Sequence, residues 1–222
     1  MNLKLPQTVW LVRHAEVAIP TTFHGAESDI ELGEHGHRQV AAAIDWFKAL
    51  TPTVVVSSAM KRAVQTAAPV AAACGVPHLL EPQLHERFVG PLSQKPRAEA
   101  DHIWEETSRQ WIAGNTAYAY PGMESFDALR DRTLPAFRRV AEGHAGGRVV
   151  IVCHGVVTKV LLLSLLRGYG PANWVTIGRV QNLAVSELVP DGELWTGRQL
   201  LVVPPQVLAV NALAESGGKT EA

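Results

Sequence analysis

Short apolar runs alternate along this chain with longer segments of helical period, and that alternation constrains the fold more than any other feature. Thr8-Val-Trp-Leu-Val-Arg13, Thr53-Val-Val-Val-Ser57 and Arg148-Val-Val-Ile-Val-Cys153 are short, β-branched and almost wholly apolar, so they read as buried strands. Between them, Val40, Ala43, Ile44, Phe47 and Leu50 recur at helical spacing within 36–50. A second helix is expected over 60–74, closed by Gly75 and Pro77, with Pro69 predicting a kink or an early break. Further helices are expected over 124–143, bent at Pro135, and over 156–166, ending at Gly168. A closing pair of strands is expected near 180–188 and 194–203, joined by Pro190-Asp191-Gly192. The pattern predicts an α/β fold: a three-layer α/β/α sandwich with a mostly parallel central sheet, in one domain over 1–222.

Two stretches break the alternation. Residues 84–121 mix charges with Trp104, Trp111, Tyr118 and Tyr120 and hold one convincing helix, near 97–112. An insertion of this kind is a candidate lid, or else a peripheral element with its own aromatic core. The polar, Gly-containing end of the chain, 214–222, is expected to be a mobile tail. The apolar stretch 200–213 leaves open a homodimer.

Composition narrows the function. Twenty Lys and Arg against 21 Asp and Glu give a formal charge of −1, with no basic footprint for nucleic acid. No run approaches the roughly 18 apolar residues of a membrane span. The apolar stretch before Arg13 is too short for a signal peptide, and two cysteines, Cys74 and Cys153, make no disulfide framework, so a cytoplasmic protein is expected. His35-Gly-His37 is the nearest thing to a metal set, but it lacks a third ligand at suitable spacing, so no metal or other cofactor is expected. No glycine-rich nucleotide loop is present.

The chemistry gathers at strand ends. The first strand runs into Arg13-His14-Ala15-Glu16 and the third into His154-Gly155, each placing an imidazole where open α/β sheets bind ligands. The residues after His154 open a helix whose first N–H groups favour an anion. Ser57-Ser58-Ala59-Met60-Lys61-Arg62 brings a second arginine to the same edge. Two guanidinium forks and two imidazoles suit a phosphoryl group. Cys153 alternates with His154 and should point into the core.

These residues, in this order, resemble the histidine phosphatase superfamily, the phosphoglycerate-mutase-like group. Arg13-His14-Ala15 is similar to its Arg-His-Gly signature, with Ala15 in place of the usual glycine. Asp29-Ile-Glu-Leu32 through Gly36 and Gln39, Ser58 through Arg62 to Thr66, Leu84-His-Glu86 to Gly90, Gly122-Met-Glu124-Ser125 and His154-Gly155 follow the family's further motifs, to about Leu188. The resemblance implies that His14 is the nucleophile and becomes a phosphohistidine, that Arg13, Arg62 and His154, with Gly155, hold the phosphoryl oxygens, and that Glu86 protonates the leaving alcohol. Glu16 has a weaker claim. Arg87 and Arg97 are candidate substrate contacts, and Thr21, Thr22 or His24 stand in for a phosphate-binding asparagine missing from the short loop 17–25.

The expected partner is therefore a small phosphate ester and the expected activity a phosphatase. The first rival is a metal-independent phosphoglycerate mutase, whose fuller, arginine- and proline-rich lid this chain lacks. A phospho-ligand binder without turnover is the second. Whether the insertion's aromatic residues stack on a substrate or pack in a core is open from sequence.

Overall fold

A computed structural model describes residues 5–217, the side chains of 215–217 excepted. Its centre is a sheet of six strands in the order β3-β2-β4-β1-β5-β6. The strands are β1 (Thr8–Arg13), β2 (Val54–Ser57), β3 (His78–Leu80), β4 (Arg148–Cys153), β5 (Val185–Asp191) and β6 (Leu194–Val202). β3, β2, β4 and β1 run parallel, while β5 and β6 are antiparallel to their neighbours. The three-layer α/β arrangement expected from the sequence is the one observed.

The helices are α1 (Glu34–Ala49), α2 (Lys61–Cys74), α3 (Arg97–Ile112), α4 (Phe126–Gly143), α5 (Gly155–Leu165) and α6 (Pro205–Gly217). Alternation along β1 divides the core. Trp10 and Val12 pack with Val40, Ala43 and Phe47 of α1, Ala63 and Val70 of α2, and Val207 of α6. Val9 and Leu11 pack on the other face with Phe137 and Val140 of α4 and Val160 and Leu161 of α5. α1 comes close to the sheet edge only because residue 36 is glycine: a Cβ there would overlap the Glu16 carbonyl. α2 ends at Gly75 in the left-handed region (φ 66°), which suits a glycine after a helix.

Several expectations are corrected. α2 does not end early at Pro69 but runs on to Cys74; that proline, like Pro135 within α4, lies on an exposed side of its helix, where a missing backbone hydrogen bond costs least. β5 begins at Val185 rather than near 180, because Val180–Ala184 turns back over the end of β1: Leu183 N donates to the Arg13 carbonyl and Arg13 N to that of Ala184. The hairpin turn falls at Gly192-Glu193, with Asp191 paired to Leu194 in the ladder. Of the expected mobile tail over 214–222, residues 214–217 lie in α6 and 218–222 lie outside the described residues. The apolar stretch 200–213 is spent partly on this chain's own core through Val207 and Val203, with Leu208 and Leu213 exposed. β3 is a further strand, three residues long and mostly exposed.

The segment 84–121 carries α3 as expected, preceded by short 3₁₀ turns at Pro82–Leu84 and Gly90–Leu92. Its tryptophans pack inward. Trp111 is fully buried, with ring centroids of Trp104, Phe126 and Trp174 at 5.9, 5.8 and 5.0 Å and its Nε1 donating to the Tyr118 carbonyl at 2.9 Å. This aromatic cluster ties α3 to the body of the protein. Trp111→Ala is expected to lower unfolding free energy by about 3–5 kcal/mol, and Trp111→Phe by clearly less, as measured by urea denaturation.

Candidate active site

β1 and β4 are parallel neighbours with Arg13 opposite Cys153, so the residues that follow each strand emerge side by side. The rings of His14 and His154 meet edge to face, centroids 5.2 Å apart. Backbone geometry fixes His14: its N donates to the Cys153 carbonyl at 2.9 Å, and Asn182 Nδ2 donates to its carbonyl at 2.9 Å. Its Nδ1 lies 2.6 Å from the Ala15 carbonyl, which can only accept, so Nδ1 carries the proton and Nε2 the lone pair. Ala15 takes no positive φ, so the methyl in place of the usual glycine hydrogen brings no left-handed strain. Its N–H donates to Thr66 Oγ1 at 3.0 Å, and that hydroxyl donates on to the Arg62 carbonyl at 2.8 Å.

Arg62 is 1% exposed at the start of α2. Its Nη1 donates to the Ser28 carbonyl at 2.8 Å and its Nη2 to that of Gly25 at 3.2 Å, which ties the loop after His14 over the site. Arg13 donates from Nη1 to the Val180 carbonyl at 2.7 Å. Burial pulls the Arg13 guanidinium down to about 10 against the opposing pull of Glu86, so it remains charged near neutrality. Burial first, then the charges of Arg62 and Arg13, hold the His14 imidazole well below its ordinary pKa of 6.5. Burial again leads in lowering His154, followed by Arg62, His14 and Arg13. Both rings are neutral over the physiological range.

His154 is completely buried, with Nε2 2.9 Å from Ser58 Oγ. Ser58 Oγ accepts from Met60 N at 3.3 Å, which leaves its proton for Nε2. This assigns the His154 proton to Nδ1, which has no acceptor among the described residues. Glu86 is 8% exposed; its Oε1 accepts from Arg87 N at 2.9 Å and its Oε2 faces Val156 N, in the first turn of α5, at 3.4 Å. The backbone around Glu86 is gripped by Arg132 of α4. Its Nη1 donates to the Gln83 and His85 carbonyls at 2.7 and 3.0 Å, while Nε and Nη2 form a forked pair with Glu124 at 3.0 and 2.9 Å. With side chains 12% and 15% exposed, this pair is worth more than a surface bridge.

Cys153 faces the core as expected, its thiol pushed up to about 12 by burial and hydrogen-bonded to Thr158 at 3.2 Å. Gly155 opens α5 so close to Arg13 that a Cβ there would lie 3.4 Å from Nε. Arg97 donates from Nε to the Pro20 carbonyl and stacks over Phe23. Thr21 is exposed, and the Thr22 hydroxyl is engaged with His24 and the Ile19 carbonyl. Arg87, a candidate substrate contact, has Nη1 and Nη2 buried without a hydrogen-bond partner among the described residues. Its guanidinium is fully buried between the rings of Trp104 and Trp111, 5.2 and 4.9 Å from their centroids, with Nε on the Glu124 carbonyl. His35, from the weak metal pair, faces Asn211 Oδ1 at 3.1 Å. Sequence reasoning missed Asn182, the contributions of Ser58 and Thr66 beyond their motif positions, and Arg132. Asn182 lies in a stretch read as strand, and Arg132 acts only through carbonyls brought close by folding.

Because both imidazoles are neutral when folded and titrate near 6.5 when unfolded, the unfolded state takes up more protons as pH falls. Stability is expected to be full above about pH 6.5 and to decline below it, and His14→Asn should flatten that slope in urea titrations at pH 8 and 5.5. In ring-nitrogen NMR of the free protein, Arg62→Gln should raise the His14 pKa.

Comparison with known proteins agrees with this geometry. The family model of the histidine phosphatase superfamily, branch 1, matches residues 9–201. A metal-independent phosphoserine phosphatase of Arabidopsis thaliana is 34% identical over 193 residues, covering 83% of this chain and 77% of that protein. A probable phosphoglycerate mutase of Yersinia pestis is 31% identical over 163 residues, covering 71% and 74%. Among solved structures, a mycobacterial glucosyl-3-phosphoglycerate phosphatase superposes with a TM-score of 0.75 at 25% identity, covering 89% of this chain and all (100%) of that one. A Bacillus stearothermophilus protein, YhfR, superposes with a TM-score of 0.77 at 21% identity, covering 90% and 98%, a likeness of fold. With the motifs in order and the histidines adjacent, this chain belongs to the histidine phosphatase superfamily, branch 1.

Proposed function

We propose that this protein hydrolyses a small phosphate monoester through a phosphohistidine on His14. The observation that carries the reading is His14 itself: a buried, neutral imidazole with Nδ1 spent on the Ala15 carbonyl and Nε2 free, beside His154 and under the charges of Arg62 and Arg13. Nε2 attacks phosphorus as the P–O ester bond breaks, and a proton from the Glu86 carboxyl passes to the leaving oxygen. Glu86, now a carboxylate, takes a proton from water as that water attacks the phosphohistidine. The N–P bond breaks, inorganic phosphate leaves and His14 returns to its starting state. Arg13, Arg62 and the Nδ1–H of His154 stabilise the charge on the equatorial oxygens, donors of a kind worth about 10²–10³ in rate each. No step calls for a metal or redox group.

The phosphatases among the relatives support hydrolysis over transfer back to substrate, and they supply the first esters to try. Phosphate release is measured from O-phosphoserine, 3-phosphoglycerate, a glucosyl-phosphoglycerate and p-nitrophenyl phosphate. His14→Ala is expected to abolish release and the acid-labile phosphoenzyme; unchanged release would overturn the reading. Interconversion of 2- and 3-phosphoglycerate without net hydrolysis would instead favour a mutase, as in the Yersinia relative's name.

Glu86→Gln should slow esters of poor leaving alcohols by about 10²–10⁴ and p-nitrophenyl phosphate less, since its leaving group needs no proton. Arg132→Ala, which frees the loop that carries Glu86, should reproduce that leaving-group dependence at about 10²-fold, with Arg132→Lys recovering part of the loss.

A further inference from the structure

A chain of carboxamide hydrogen bonds links the last helix to His14. α6 begins at Pro205, beyond residue 201 where the family match ends. Val207 of α6 is fully buried and packs with residues of α1, and Asn211, one turn later, shares that face. His35 and Gln39 are likewise four residues apart on α1, so both side chains reach Asn211. Glycine at position 36 brings this face of α1 against the backbone of Glu16.

One backbone donor sets the direction of every bond in the chain. The Glu16 N–H can only donate, so the Gln39 atom 2.9 Å from it is Oε1. Gln39, 2% exposed, then presents Nε2 to Asn211 Oδ1 at 2.8 Å. His35 Nε2 faces the same oxygen at 3.1 Å, so this nitrogen bears the His35 proton.

The Glu16 N–H lies in the same peptide plane as the Ala15 carbonyl, which accepts the His14 Nδ1–H. In a trans peptide these two groups point in opposite directions, so holding one aims the other. The peptides on either side have anchors of their own, Ala15 N on Thr66 Oγ1 and the Glu16 carbonyl on Gly33 N. The peptide between Ala15 and Glu16 is held at its N–H end by Gln39. Turned over, it would present N–H to His14 and its carbonyl to Gln39. Nδ1 would then have to accept, the ring proton would sit on Nε2, and the lone pair that attacks phosphorus would be lost. Gln39 cannot follow by rotating its amide alone, because Oε1 would then meet Asn211 Oδ1, acceptor against acceptor. Asn211 in turn is held by the His35 N–H.

We propose that Asn211 of α6 is a positioning residue for the nucleophile: through Gln39 it locks the peptide after Ala15, and with it the His14 tautomer that keeps Nε2 free. Its kinetic consequence rests on the hydrolase reading above, whereas the tautomer is a property of the free protein. The C-terminal helix thus bears on His14 from outside the region matched by the family.

Ring-nitrogen NMR of the full chain at pH 8 reads which nitrogen of His14 bears the proton. The wild type should show a single form, protonated at Nδ1. Asn211→Leu, similar in shape and unable to accept, should introduce the form protonated at Nε2. It should also lower kcat by about tenfold, short of the roughly 10² that a misplaced reacting group costs, with KM little changed. Asn211→Asp, whose carboxylate can only accept, should restore both. Val207→Ala weakens the same helix without touching the chain of bonds, so it should lower the urea midpoint and leave the tautomer as it is. A His14 protonated at Nδ1 alone in Asn211→Leu, or a tautomer shifted as far by Val207→Ala, would overturn the proposal. Should Asn211→Leu not fold, Asn211→Ala is read in its place by the same criteria. If the wild type hydrolyses no ester, the hydrolase reading fails on its own, and the tautomer populations still decide the lock.

Discussion

A permanent positive charge buried beside two imidazoles is the constraint on which the rest of this site depends. The Arg62 guanidinium cannot shed its proton at any physiological pH, and removing such a group from water costs several kcal/mol unless its donors are met. The carbonyls of Gly25 and Ser28 meet two of them. In doing so they bind the loop after His14 to the start of α2, so that one interaction both orders the loop and places the charge. Burial, and then the same charge with that of Arg13, keeps His14 and His154 neutral. A region with two guanidinium groups, two neutral imidazoles and one nearby carboxyl holds a surplus of positive potential that a phosphoryl group neutralises.

Around that centre the protein uses backbone more than side-chain pairing to hold position. His14 is set by the carbonyls of Cys153 and Ala15, Arg13 by that of Val180, and the Glu86 loop by carbonyls gathered on Arg132. Fixed dipoles of this kind cost no reorganisation during a reaction. The rings of Trp104 and Trp111 perform the matching task for Arg87, lying against its guanidinium while its Nε holds the Glu124 carbonyl. Glu124 also receives Arg132 and the Phe88 N–H, so it is the hinge between the insertion and α4.

The parts of this design that are local in sequence were legible from it. Strands β1, β2 and β4 declare themselves as β-branched runs, and parallel neighbours ending in Arg13-His14 and His154-Gly155 follow from the α/β pattern. The helix over Arg97–Ile112 was recovered although its surroundings are irregular. What escaped notice depends on distant contacts or weak periodicity. β3 is a three-residue edge strand with no alternation to detect. α6 is apolar almost throughout, so its period is hidden, and only Pro205 at its start signals a helix. The return of Val180–Ala184 over β1 reads as strand because Val180, Leu183 and Ala184 are apolar, yet these three fill the core beside α1 and α6 while the segment turns at the end of β1. Arg87 stands beside Glu86 in the sequence, and only the fold shows that its guanidinium lies between the rings of Trp104 and Trp111.

The short hydrogen bond from His14 Nδ1 to the Ala15 carbonyl has a regiochemical consequence. An imidazole has two nitrogens of similar intrinsic nucleophilicity, and in solution electrophiles divide between them. Here one is permanently blocked by main chain, so any phosphorylating or alkylating reagent small enough to enter meets a single site. Its adduct would be the τ isomer, formed at Nε2 alone, and a side-chain substitution elsewhere could not redirect it without first rotating that peptide.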